Sequence, residues 1–402
     1  MDTFKILDGD FDEWIGSIRA NPVLGPEYAR MLEMNRRLER GDHGLVSPDV
    51  RFGRLYQEIY EPSDLSIRAV VSGLRMAAAR LKTFDRLLLV EHVPKEFVGR
   101  MMSESRVAHT FSPIDLIDTA FHPRGTDRLS RRRQLEAFPR YLMSRMLFWV
   151  SEIESEVDVG EQAEEAFDTI IQRLFVQSES GRLFLRVWLD PKDNLRCKRL
   201  TYALDACPVP ESHHVLVEQT HEIDCRFLLV DGRWIPVIFD DRVKDDFATI
   251  TKVMRKGVPL IQQVDKRGLT IIALTPEDLA TLEEAFQVAA SIAPFSILKF
   301  PHGRPETVVD PTNPYSSLDF KARRYELDFR YSGGVTVPVE ANLQLGQHYV
   351  DTLFSHTQAR HSVYRLNQLC DQYFPFRFPR FMCGVDFREG SAHRQEMLNK
   401  LW

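Results

Sequence analysis

The sequence predicts an α+β multidomain chain: a helical N-terminal region, an antiparallel β middle and a C-terminal α/β mixed sheet. Three observations carry this. Up to about residue 175, apolar side chains recur at spacings of three and four. From about residue 181 the period drops to two, in short runs broken by turn residues. Beyond Asp241, strand-like and helix-like patterns alternate, which predicts helices layered on a sheet.

The elements follow in order. "SDLSIRAVVSGLRMAAARLKTFDRLLLVEHV" reads as a helix with Ser63 as its N-cap. "DRLSRRRQLEAFPRYLMSRMLFWVSEIESEV" reads as a second, with Pro139 marking a kink or break. "RLFLRVWLD", "KRLTYALDA", "HVLVEQTHE" and "CRFLLVDGRWIPVIF" are β runs, separated by the turn-like "DPKDN", "CPVPES" and "VDGR". A helix at 244–256 then buries Phe247, Ile250 and Met254, and "GLTIIAL" is a buried strand. "TPEDLATLEEAFQVAAS" is a helix with Thr275 as N-cap, Pro276 at its first position and acids in its first turn. "RRYELDFRY" and "VTVPVEANLQL" alternate as paired strands across "SGG". "GQHYVDTLFSHTQARHSVYRLNQLCDQYF" reads as a closing helix. The prolines of "YFPFRFPRFMCGVDF" make it a loop, with Arg377 and Arg380 among aromatic rings. The expected divisions are a helical accessory region over 1–178, a β-rich segment over 179–235, an α/β domain over 236–372 and an aromatic, Arg-rich tail over 373–402.

The bulk numbers set bounds. A chain of 402 residues, 44% hydrophobic and 27% charged, has ordinary globular composition and room for two or three cores. A net charge of −6 argues against a general nucleic-acid coat but allows a local basic site. Five cysteines, odd in number and without a CxxC pair, point to reduced thiols. The first residues, "MDTFKILDGDFDEW", are acidic where a signal peptide is basic and then apolar. No apolar run approaches a membrane span of about eighteen residues. The expected location is the cytoplasm, with no membrane partner.

One set of residues has the makings of a phosphate site. A triphosphate needs several fixed cations, and its Mg²⁺ takes one or two carboxylates. Arg242 leaves a strand end. Lys244 and Lys252 share a helix face at i and i+8, with Arg255 on the same side. Asp265 precedes "GLTIIAL", and Glu340 lies in "VPVEANLQL". Tyr315, in "TNPYSSLDF", offers a flat ring on which a base can stack. Taken singly, each has a plainer reading: solvated lysines, a turn aspartate, a packed turn tyrosine. Their order and spacing are what count.

That order resembles the synthetase domain of the RelA/SpoT family, which makes guanosine alarmones. The family pattern of R-x-K followed by S and K is matched by "RVKDDFATITK", which keeps Arg242, Lys244 and Lys252 but has Ala248 for the serine. The acidic residue opening a strand is matched by "DKRGLTII", with Asp265 kept and Thr270 for an arginine. "NPYSSLD" keeps Asn313, Tyr315 and Ser317 of N-G-Y-x-S-x-H, with Asp319 for histidine. "VEANLQL" keeps Glu340 of V-E-x-Q-I-R-T, with Asn342 for glutamine and Gln344 for arginine. The resemblance spans about 235–370 and implies a nucleotidyltransferase-like mixed sheet. It implies an ATP-dependent pyrophosphotransferase moving the β,γ-pyrophosphate of ATP to a 3′-hydroxyl. On that footing Arg242, Lys244, Lys252 and Arg255 hold the ATP phosphates. Asp265 and Glu340 hold Mg²⁺, Glu340 activates the hydroxyl, and Tyr315 stacks the acceptor base. Asn313, Asn342, Lys299, His302, Arg304, Lys321 and Arg323 are expected at the acceptor, the five basic residues by charge and nearness to Tyr315 alone. The departures fit an acceptor other than a guanosine nucleotide, such as an adenosine nucleotide or an RNA 3′ end, with tRNA as a candidate partner. They also fit a catalytically inactive sensing or interaction module. In the family such enzymes serve the stringent response or act as toxins.

Other signals read as structural. His213, His214, His221 and Glu222 match no zinc spacing. Asp8, Asp10 and Asp12 alternate without a calcium loop's glycine and distal glutamate, and read as a solvated turn. Arg128, Arg131, Arg132 and Arg133 offer RNA a basic helix face, though a solvated face or pairing with the acids of 152–165 is the commoner outcome. The aromatic tail offers single-stranded nucleic acid a stacking surface, though covering a core is the commoner use.

Overall fold

A computed structural model describes residues 10–60, 65–102, 112–122, 128–156, 168–173, 178–203, 216–230, 232–243, 246–256, 267–299, 321–330, 336–355 and 361–401. The chain forms two compact units, each drawn from separated stretches. One takes Met1–Glu156, Asp246–Leu260 and Leu366–Trp402; the other takes Val157–Asp245 and Ile261–Arg365.

The first unit is helical: α1 (Phe11–Ala20), α2 (Leu24–Glu39), α3 (Pro48–Tyr60), α4 (Ile67–His92), α5 (Lys95–Met101), α6 (Pro113–Phe121) and α7 (Arg128–Glu156). Asp10 is exposed at the bend that opens α1. Its carboxylate accepts from the Glu13 amide at 2.9 Å and caps α1, whose Trp14 is wholly buried. Ser63 lies outside the described residues; Ser66 caps α4, accepting from the Ala69 amide at 3.2 Å. Pro139 does not break α7. Its neighbours Ala137, Phe138, Tyr141 and Leu142 are all buried, and that packing offsets the roughly 3 kcal/mol a mid-helix proline costs.

The aromatic tail is helical core and not a loop. After α12 (His361–Gln368), one π-helical turn over Leu369–Tyr373 leads into α13 (Phe374–Arg377), α14 (Arg380–Cys383) and α15 (Ala392–Lys400). Phe374, Phe376, Phe378 and Phe387 join Trp14 and Phe138 in one cluster. Each such burial contributes roughly 1.5–3 kcal/mol, so these rings are not available to stack on bases. Trp14 Nε1 donates to the Pro375 carbonyl at 3.1 Å, tying the two ends of the described chain.

The second unit is built on one eight-stranded sheet: β1 (Ser178–Asp190), β2 (Arg196–Ala203), β3 (Val217–Val230), β4 (Arg233–Val243), β5 (Arg267–Ala273), β6 (Phe295–Lys299), β7 (Arg323–Arg330) and β8 (Thr336–Leu345). Its order is β2-β1-β3-β4-β5-β8-β7-β6. "VEQTHE" and "CRFLLV" fall in the single strand β3. All pairs are antiparallel except β5 with β8, so the sheet is mixed. Residues 168–173 form α8, and Asp246–Lys256 form α9, which belongs to the helical unit. α10 (Pro276–Ala290) has the expected cap: Thr275 Oγ1 accepts from the Asp278 amide at 3.1 Å. It covers one sheet face, packing Leu279, Leu282 and Phe286 against Leu269, Ile271, Ala341, Leu343, Tyr325 and Leu327. α11 (Gly346–Phe354) follows β8 directly and ends where Ser355 turns extended (φ −67°, ψ 146°), so the closing helix is interrupted. No helix among the described residues is long and apolar enough to cross a membrane.

Candidate functional site

The site grows out of strand alternation in β4, β5, β8 and β7. On β8, Val339, Ala341 and Leu343 join the α10 core, which sends Glu340, Asn342 and Gln344 to the other face. On β7, Tyr325, Leu327 and Phe329 face α10, so Arg324 and Glu326 share the face of Glu340. Register then aligns two rows across the sheet. One runs Arg242, Gly268, Glu340, Glu326; the next runs Asp240, Thr270, Asn342, Arg324.

Glu340 is 4% exposed, as is Asn342. A carboxylate so deep needs donors. The Asn342 side-chain amide donates to its Oε1 at 2.9 Å, and the Arg324 guanidinium pairs with its Oε2. The same guanidinium lies 3.9 Å from Glu326. Gly268, next to Glu340 in the row, puts no side chain beside the acid. Nearby, the Tyr349 hydroxyl on α11 donates to Asp240 at 3.5 Å, and burial, with Asp240, pushes it up to about 12.

Arg324 and Glu326 are the residues sequence reading missed. It took Arg323, which points the other way. Arg323 Nε donates to Glu283 of α10 at 2.6 Å, and the Tyr325 hydroxyl binds the same carboxylate. Burial, then that carboxylate, raises the Tyr325 hydroxyl to about 12, although a bond from Gln287 works against the shift. The signal was present: in "RRYELDF" the aromatic and aliphatic positions share the parity of Arg323 and leave Arg324 on the polar face.

The other expected residues fall in several places. Arg242 keeps its backbone place in the row beside Gly268, and Lys299 pairs through its backbone with Glu326. Lys321 lines a separate cavity in the sheet unit. Lys252 and Arg255 are not on a solvated face. They are buried, 7% and 4% exposed, on an α9 that is enclosed over Thr249–Arg255 within the helical unit. α9 is held there by Arg80 on Asp246 and by the Asn21 amide, which donates to the Met254 carbonyl at 2.7 Å. Lys244, Asp265, His302, Arg304, Asn313 and Tyr315 lie outside the described residues.

Mg²⁺ binds through one or two carboxylates together with substrate phosphates. Among the described residues, no three His, Cys, Asp or Glu side chains cluster as a metal set. On the polar face of the sheet, Glu340 is a buried acid whose Oε2 pairs with Arg324. His221 stacks on Phe354 with ring centres 5.0 Å apart, and Glu222 pairs with Arg182 at 2.9 Å.

The mixed sheet thus carries a polar face with a buried acid on the strand that runs into α11. The chain is similar to small alarmone synthetases over part of its length. One match is the crystal structure of small alarmone synthetase 1 from Bacillus subtilis bound to its product pppGpp: 16% identity, TM-score 0.23, 28% of this chain and 57% of that one. Another is a crystal structure of small alarmone synthetase 1 from Bacillus subtilis, also at 16% identity and TM-score 0.23, covering 28% of this chain and 56% of that one. The chain thus spans little more than half the length of these structures. No protein-family model matches the chain, and no curated protein does.

Proposed function

We propose that this chain is an ATP-dependent nucleotide pyrophosphotransferase of the alarmone-synthetase type. The supporting observation is the row that sets Glu340 one glycine away from the strand position of Arg242. These two motif residues are far apart in sequence, and the reaction needs them in one place. In this reading Glu340 accepts the proton of an acceptor 3′-hydroxyl. The hydroxyl oxygen then bonds to the β-phosphorus of ATP, the bond from that phosphorus to the α-phosphate oxygen breaks, and AMP leaves. Glu340 and Asp265 are the residues that would hold Mg²⁺, which when bound neutralises phosphate charge. Arg324 leaves the Glu340 carboxylate for a substrate phosphate, a bidentate partner suited to guanidinium. Arg242 and Lys244 grip the donor phosphates, with Tyr315, Asn313 and Asn342 toward the acceptor base; Lys252 and Arg255, buried within the helical unit, are not assigned to them. Lys299 and Arg304 would lie beside the acceptor phosphates.

The test is incubation with γ-labelled ATP, Mg²⁺ and a panel of guanosine and adenosine nucleotides and tRNA. One acceptor gains label and AMP appears in equal amount. Glu340→Gln loses at least a hundredfold in rate, in keeping with loss of a general base, and keeps its circular dichroism. Nucleotide binding without label transfer to any acceptor would place the chain among non-catalytic modules.

A further inference from the structure

The sheet unit contains a cavity of about 200 Å³ beyond the C-terminal end of β8, on whose middle Glu340 lies. Three stretches build it. A helical turn at Pro191–Asp193, then Asn194 and Leu195 at φ 52° and 53°, swing the chain into β2 and present Arg196 and Lys198. Lys321 enters just ahead of β7. Gln347, His348 and Asp351 come from α11. The walls are locked together: the Cys197 amide donates to Asp351 at 2.7 Å, and the Gln347 amide donates to the Cys197 carbonyl at 2.5 Å. β7 pairs Arg323 with Leu343, so Lys321 lies level with the end of β8, where the chain turns into α11. Ligands in sheets with parallel strands gather beyond such carboxyl ends, and the start of α11 adds its dipole.

The charge favours an anion. Arg196, Lys198 and Lys321, with His348, face Asp193 and Asp351. Both acids are already engaged. Asp193 is shared by Lys198, whose hydrogen bond holds its carboxyl below the usual range, and Arg196, at 3.9 Å, and Asp351 accepts from Cys197, so three basic side chains with His348 meet two acids and the balance is cationic. The size limits the ligand. Pockets for drug-sized molecules run from about 300 Å³ upward, so this one suits a phosphate or diphosphate group and not a whole nucleotide. Glu340 lies five residues back from Leu345, on the order of 16 Å along an extended strand.

We propose that this cavity is an anion site separate from Glu340, taking a phosphate or diphosphate group, either free or carried by a small sugar. Lys321 serves this site and not the acceptor at Glu340. The proposal does not depend on the pyrophosphotransferase reading.

Calorimetry on the full chain tests it, at low ionic strength and with divalent ions chelated, using inorganic phosphate, pyrophosphate and ribose 5-phosphate as probes. At least one probe binds with a stoichiometry near one. Its affinity falls tenfold or more in the Arg196→Gln, Lys321→Gln double variant and is unchanged in Glu340→Gln, with both variants retaining native circular dichroism. Tighter binding of ribose 5-phosphate than of phosphate assigns the site to sugar phosphates; equal or weaker binding assigns it to the free anion. Saturable binding by none of the three, binding indifferent to the double variant, or binding lost in Glu340→Gln overturns the proposal. Label transfer from ATP is read separately, so failure here leaves that experiment's outcome intact.

Discussion

Asp85 is the acid on which the helical unit's tail is fastened. It sits on α4, 5% exposed, and holds two residues of the C-terminal segment. Arg377 reaches its Oδ2 with Nε at 3.1 Å and Nη2 at 2.9 Å, and the Tyr373 hydroxyl donates to its Oδ1. Arg140, 1% exposed, is pulled down to about 10 by burial and by the nearby Arg377 charge, and Asp85 is the main group opposing that. Asp85→Leu therefore strands two buried guanidinium groups, with Glu136 as the remaining acid acting on them. Removing one member of a buried pair costs about 3–5 kcal/mol. For a unit of this size, each kcal/mol shifts the midpoint by about 2–4 °C, so the melting transition of the helical unit falls by roughly 6–20 °C. Differential scanning calorimetry on the full chain measures this. The triple variant Asp85→Leu, Tyr373→Phe, Arg377→Met removes the Arg377 guanidinium and the Tyr373 hydroxyl, leaves only Arg140 stranded, and recovers part of the loss. A single variant that melts within about 3 °C of wild type would refute the assignment of this cluster as the tail's anchor, being under the roughly 1 kcal/mol of an exposed pair.

Two further outcomes follow from burial. Burial raises the Asp328 carboxyl above its ordinary 3.8, so its folded form binds a proton more tightly than its unfolded form. Stability from this group is present below pH 3.8 and is lost as pH rises through the folded pKa. Asp328→Asn is therefore more stable than wild type at pH 7, and the two denaturation midpoints converge below pH 3.8; a variant less stable at neutral pH contradicts this. Burial also pushes the Cys197 thiol up to about 11 and the Cys370 thiol up to about 12, leaving little thiolate at pH 8. Mass spectrometry after a short iodoacetamide pulse finds both unmodified in the native chain and both labelled after urea; labelling of native Cys370 at the unfolded rate would contradict its enclosure.

Much of the sheet was legible because alternation is a local signal. The α10 cap at Thr275, the buried strand β5 and the β7–β8 pairing each rest on a few adjacent residues. What sequence could not show was long-range commitment. Lys252 and Arg255 look solvated on a helical wheel, and only packing shows that α9 is enclosed. The tail reads as a loop because prolines disfavour helix locally, yet Pro375 follows directly on the π-helical turn over Leu369–Tyr373, with Tyr373 and Phe374 in the helical region, so the run stays helical. Arg323 was chosen by charge, whereas parity decides which of two adjacent arginines meets Glu340.

The helical unit's three-part make-up has a consequence for synthesis. Met397, without exposed surface, packs in the same cluster as Trp14. A ribosome that has already delivered the N-terminal helices has not yet supplied the side chains that seal them. Through most of translation those helices must wait with apolar flanks uncovered, a window in which chaperones, and aggregation, have their best access to the nascent polypeptide.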